Sequence, residues 1–121
     1  MKIKTILLFF VIMSSSVGVH AQLKGKTFQA KLGEMGTFKM EFKENTFFLY
    51  NSGGQTMVEG EYQIEENTVV LIDKKGPISC QPGNKGEYKF TLTNEELKLE
   101  LIEDNCPGRK ALAISAWKKI E

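Results

Sequence analysis

The sequence predicts an all-β domain, an eight-stranded antiparallel up-and-down barrel carrying one disulfide. Three observations lead there. Apolar and polar residues alternate with period two over short runs, the runs come in pairs joined by tight polar turns, and the 121 residues contain only two cysteines, Cys80 and Cys106. Period-two alternation marks strands with one buried face. Many short antiparallel strands avoid exposed edges by closing on themselves; a two-sheet sandwich is the other arrangement open to them.

The chain opens with a segment that does not belong to this domain. Lys2 and Lys4 give a basic start, Ile6 to Met13 is an unbroken apolar run, and Ser14–Ser16 and Gly18 lead into Val19-His20-Ala21. Basic, apolar and small-residue regions in this order form a secretory signal peptide. The apolar run of 8 residues is far below the roughly 20 that span a bilayer. Residues 1–21 are therefore expected to be removed, leaving a domain over 22–121 that begins at Gln22 and works in the periplasm or outside the cell. Gln22 is not a cysteine, so no lipid anchor is expected there.

The domain repeats one theme. Gly36-Thr-Phe-Lys-Met-Glu-Phe, Gly60-Glu-Tyr-Gln-Ile and Gly86-Glu-Tyr-Lys-Phe-Thr-Leu each start on Gly-x-aromatic, and each leads through a polar turn with an asparagine into a second apolar run. Asparagine suits such turns because it tolerates the left-handed backbone. Pairing Phe42 with Phe47, Ile64 with Val69 and Leu92 with Leu97 puts the alternating apolar residues of each hairpin on one face, and a slip of one residue would destroy this. With flanking runs the expected strands are 26–32, 36–42, 47–51, 56–64, 69–73, 86–92, 97–102 and 112–119, with one short helical turn between Glu103 and Ala111. The expected interior includes Phe28, Met40, Tyr62, Tyr88, Phe90, Leu92, Leu99, Leu101 and Trp117, either filling the barrel or lining a small apolar pocket. Phe48, Tyr50, Val70 and Ile72 point the other way. They are expected either to be covered by a neighbouring segment or to form an outer apolar patch.

An even cysteine count in an exported chain reads as a disulfide. Extending the Leu92–Leu97 register brings position 83 opposite Cys106, so Cys80 lies within reach through the strandless loop 74–85. Arg109 is expected to pair with Asp104 and brace that loop.

Gly25-Lys26-Thr27-Phe28, Gly76-Pro77 ahead of Cys80, Gly86 with Tyr88-Lys89, Leu97 with Leu99, Asp104 with Cys106 and Gly108-Arg109, and finally Trp117 form a run of motifs along the chain. The run resembles small exported bacterial lipocalin-like proteins over nearly all of the mature chain, most specifically from Cys80 to Trp117. It differs at its opening, where Phe28 stands in place of a tryptophan. The resemblance implies a calycin-type barrel and a small hydrophobic ligand.

Composition narrows the chemistry. The one histidine, His20, falls in the leader, so the mature chain lacks Ser-His and Cys-His nucleophilic pairs and histidine metal sites. With both cysteines bridged no thiolate remains, and there is no phosphate-binding glycine loop, Gly53-Gly54 being a plain turn. Glu41, Glu61, Glu87 and Glu100 fall on the solvent face of alternating strands, and Met40 packs on the apolar face. Two of the 16 Lys and Arg lie in the leader, so 14 stand against 15 Asp and Glu, a formal charge of −1. That balance gives no footprint for nucleic acid or for a membrane surface, and no stable membrane insertion is expected. The expected function is non-enzymatic binding without a cofactor. The partner is a small hydrophobic molecule or, alternatively, an extracytoplasmic protein met by loops or by the outer apolar patch.

Overall fold

Tight polar turns close three hairpins and longer connections link them, so that seven sequential antiparallel pairings plus a closing one make a barrel. The computed structural model describes residues 23–120, so the expected leader and its cleavage site lie outside the described residues. The strands are β1 (Thr27–Lys31), β2 (Thr37–Phe42), β3 (Thr46–Tyr50), β4 (Thr56–Glu65), β5 (Thr68–Lys75), β6 (Lys85–Leu92), β7 (Glu96–Asp104) and β8 (Trp117–Ile120). They form one closed barrel in sequence order. The hairpin registers follow the apolar pattern: Phe42 pairs with Phe47, Ile64 with Val69, and Leu92 with Leu97.

Up-and-down order gives the barrel two unlike ends. At the turn end the strands are joined by short connections around Glu44, Glu66 and Asn94, and fully buried Leu23 joins the core there beside the Gly25–Phe42 backbone bond. The connections at the other, looped end are longer: 32–36, 51–55, 76–84 and 105–116. The interior between them is filled. Trp117, Tyr88, Phe28 and Met40 are 0% exposed, and Phe42, Phe47, Val69, Leu71 and Leu97 pack with them. Phe42 meets Phe28 and Tyr62 edge to face, the arrangement in which ring quadrupoles attract.

Four expectations need correction. The last strand is not 112–119: Pro107–Lys110 forms a short helix, α1, and Ala111–Ala113 a 3-10 turn, before β8 begins at Trp117. Pro107 is suited to a first helical position. Leu112 turns into the core, and its carbonyl accepts the Trp117 indole N–H at 2.8 Å, an anchor that alternation alone does not reveal. Leu101, expected inside, is 44% exposed, and Leu92 is only half-buried. Beside Leu101 the β6–β7 ladder contains a bulge: Tyr88 pairs with Leu101 but Glu87 with Glu103, leaving Ile102 extra. The extra residue reverses the alternation, so Asp104 faces inward, and the extrapolated partner of Cys106 becomes position 84 instead of 83. Of the outward apolar residues, Ile72 is covered, one of the two arrangements expected for them. Its outward companions Phe48 and Tyr50 stack on each other, Lys43 lies over the Phe48 ring, and the Tyr50 hydroxyl donates to Glu41 at 2.7 Å.

Leu99 and Lys98 are neighbours on opposite faces of β7, one buried and one exposed. Leu99→Ala should cost about 2–5 kcal/mol through lost apolar contact plus a cavity, and Lys98→Ala less than about 0.5 kcal/mol. Urea unfolding of both variants checks this, and equal costs would contradict the strand.

Candidate functional site

The looped end is built around one buried guanidinium. Cys106-Pro107 starts the short helix that carries Arg109 back over the barrel mouth, where the residue is only 4% exposed. Its Nε and Nη2 donate to the Asp104 carboxylate at 2.7 and 2.8 Å, a two-pronged pairing. Its Nη1 donates to Asp73 at 3.2 Å and to the Asn84 carbonyl at 3.0 Å, and Nη2 also reaches the Asn84 side chain at 3.3 Å. All five N–H donors of the guanidinium thus have acceptors.

The same two carboxylates hold the disulfide. Cys80 N–H donates to Asp73 at 2.7 Å and Cys106 N–H to Asp104 at 2.9 Å, and the two cysteines are bonded to each other. Tyr88, fully buried on β6, donates its hydroxyl to Asp104 at 2.5 Å. Gly86 leaves the room: a Cβ there would collide with Asp104 Oδ2 and lie 2.7 Å from Arg109 Nε. Among the described residues no buried side-chain nitrogen or oxygen lacks a partner.

The electrostatics follow from burial and these bonds. Burial raises the Asp104 pKa, but bonds from Arg109, Tyr88 and the Cys106 amide outweigh it and hold the carboxyl below its ordinary value. Burial lowers the Arg109 pKa, yet Asp104 and Asp73 together keep it above normal. Tyr88 is pushed well above 10.0, first by burial and then by its bond to Asp104. Tyr50 is raised to about 12 by burial and by Glu41, and Tyr62 is raised by burial and then by Glu44.

Beside this cluster lies a small cleft of about 30 Å³ that reaches between the barrel residues Phe47, Leu49 and Val58, room for a water molecule or two. Leu32, Met35, Phe38, Ile78 and Leu112 line it, with Asp73, Cys80 and Arg109 at its polar side. Of the residues expected to line a ligand pocket, Phe28, Met40, Tyr62, Tyr88, Phe90, Leu99 and Trp117, all are buried in the common core and none lines this cleft. Asp104 and Arg109 come together as a pair. Asp73 and Asn84 carry no site role in the sequence reading, and Gly86 figures there only as the start of a strand motif. For Asp73 a signal was present, since it follows Val69 and Leu71 at the inward parity of β5.

No group of three or more His, Cys, Asp or Glu among the described residues is arranged to hold a metal ion, and no described helix is long and apolar enough to cross a membrane. Compared with known proteins, the chain matches no family model, no curated protein and no solved structure.

Removing one member of a buried ion pair strands its partner. Asp104→Asn should therefore destabilise the domain by about 3–5 kcal/mol at neutral pH. Because the folded Asp104 pKa lies below the unfolded value of 3.8, its contribution is complete above that pH and is lost as pH falls through the folded pKa. Urea unfolding across acid pH should show this loss in the parent and a shallower one in Asp104→Asn. The tyrosines have the opposite sign: raised pKa values stabilise the fold below an ordinary tyrosine pKa of about 10 and lose that effect above it. Near-UV absorbance should show less phenolate in the native protein around pH 11 than in the urea-unfolded protein, where all three tyrosines are nearly fully ionised.

Proposed function

We propose that this chain is an exported, non-enzymatic binding domain of lipocalin-like build that recognises an extracytoplasmic protein through the looped end of its barrel. One observation carries this reading. Large buried side chains fill most of the interior, while the looped end presents Met35 at 59% and Ile78 at 41% exposure on the rim of an apolar cleft. The 76–84 loop that carries Ile78 is pinned by the disulfide and by Arg109, so it is presented already ordered. Pre-ordered loops lose little entropy on binding, and an apolar socket with a polar surround is the anatomy of a protein-recognition surface. A small hydrophobic molecule, the ligand the lipocalin-like motifs imply, normally occupies roughly 300–1,000 Å³. Here the corresponding space is taken by Phe28, Met40, Tyr88 and Trp117. The leader motif and the disulfide support export; the lack of a histidine in the mature chain supports a non-catalytic role.

The test is native mass spectrometry of the protein purified from the envelope or medium of its own host, beside a Met35→Glu, Ile78→Glu double variant. The reading expects a protein complex with the parent, weakened at least about tenfold in the double variant, with folding unchanged by circular dichroism. A retained small molecule and no protein partner would contradict it, as would a complex indifferent to the two substitutions.

A further inference from the structure

The barrel closes through a last seam whose ladder is short. β8 pairs with β7 only at Glu96–Lys118 and Leu97–Trp117, although β7 continues to Asp104. The chain that would have continued the ladder turns away: the Ser115 hydroxyl donates to the Lys31 carbonyl on β1. Among the described residues, no backbone bond from the 105–116 segment reaches β7 between Lys98 and Asp104.

The direction of the unpaired groups follows from two bonds. Lys119 N–H donates to the Glu95 carbonyl, on the β8 side, while Thr93 N–H donates to the Glu96 carbonyl, on the β6 side. In an antiparallel strand the N–H and C=O of one residue point together and alternate from residue to residue. Leu97 therefore faces β8, and Leu99 and Leu101 turn their N–H and C=O toward the same side, where the 3-10 turn Ala111–Ala113 packs near β7 without a backbone bond to it. The side chains agree: Glu100, Leu101, Ile102 and Glu103 are exposed in succession, whereas a strand paired on both sides would hide alternate residues.

We propose that this seam is a strand-addition site, where an extended segment of a partner polypeptide pairs antiparallel with Leu99–Leu101. Four backbone groups at strand spacing recognise extended backbone and little else. The pattern of the segment follows from the seam. Residues opposite Leu99 and Leu101 point inward, toward the exposed side of Leu101, and are apolar. The residue between them points outward beside Glu100, and Glu103 adds a second carboxylate; among the described residues neither takes part in an ion pair. That residue is basic, as Lys118 of β8 is where it faces Glu96. The guest therefore reads apolar-basic-apolar. The proposal rests on reading the chain as a protein-binding domain, but it uses a surface separate from the cleft.

The test is a two-part NMR experiment on the mature protein. In the free protein, the amides of Leu99 and Leu101 should exchange with solvent much faster than those of Lys98 and Glu100, which bond to β6. The probe is the blocked pentapeptide Thr-Val-Lys-Val-Thr, with Thr-Val-Glu-Val-Thr as its counterpart. The lysine peptide should shift and slow the Leu99 and Leu101 amides, at least about tenfold more tightly than the glutamate peptide. Glu100→Lys should reverse that preference. The Met35→Glu, Ile78→Glu variant should bind the lysine peptide as the parent does, which separates a failure of this site from a failure of the cleft. Slow exchange at Leu99 and Leu101 in the free protein, or no response to either peptide, would overturn the proposal; so would a preference that Glu100→Lys leaves unchanged.

Discussion

Arg109 carries a positive charge into a space where water has almost no access, and the looped end is organised by what that charge needs. An unpaired buried cation costs far more than the fold could tolerate. Two strands and a loop answer it: β7 with Asp104, β5 with Asp73 and the 76–84 connection with Asn84. Each aspartate also accepts the amide of one half-cystine, and Asp104 the Tyr88 hydroxyl as well. Disulfide and ion pair are thus one unit that ties the 76–84 loop, the short helix and the ends of two strands together. Such a network is costly when half-made and rigid when complete.

Several departures from an ideal barrel make sense as consequences. The bulge at Ile102 turns Asp104 inward, where regular alternation would have pointed it at solvent. Gly86 supplies a wall without a side chain beside it. The helix that delivers Arg109 uses chain that would otherwise have lengthened β8, so the seam between β7 and β1 is bridged by ladder pairs only near the turn end. The brace at the barrel mouth and the short last ladder therefore share one cause. The apolar cleft at the mouth and the short last ladder are the two features on which the proposed binding rests.

The strands were legible because hairpin registers are written in local alternation. Phe42 with Phe47 and Leu92 with Leu97 needed nothing but period two and a polar turn. The disulfide and the pairing of Arg109 with Asp104 followed from compartment and proximity. What escaped was decided by contacts distant in the chain. Ala111–Ala116 alternates weakly enough to read as strand, and only Leu112 docking into the core, with its carbonyl on Trp117, makes it a turn. The bulge left no local mark: nothing in Leu-Glu-Leu-Ile-Glu-Asp says which residue is extra until Asp104 must meet Arg109. Asp73 was visible as a polar residue at a core parity, but its partner lies 36 residues away.

The central claim is that Arg109 and the disulfide act as one unit. A double-mutant cycle measures this directly, combining Arg109→Met with a Cys80→Ala, Cys106→Ala pair and reading unfolding free energy in urea for all four forms. The account predicts strong non-additivity, a coupling within the range of about 0.5–3 kcal/mol seen for residues in one network, with Arg109→Met costing less once the bridge is gone. Additive costs would show the ion pair and the disulfide to be independent, and would contradict it.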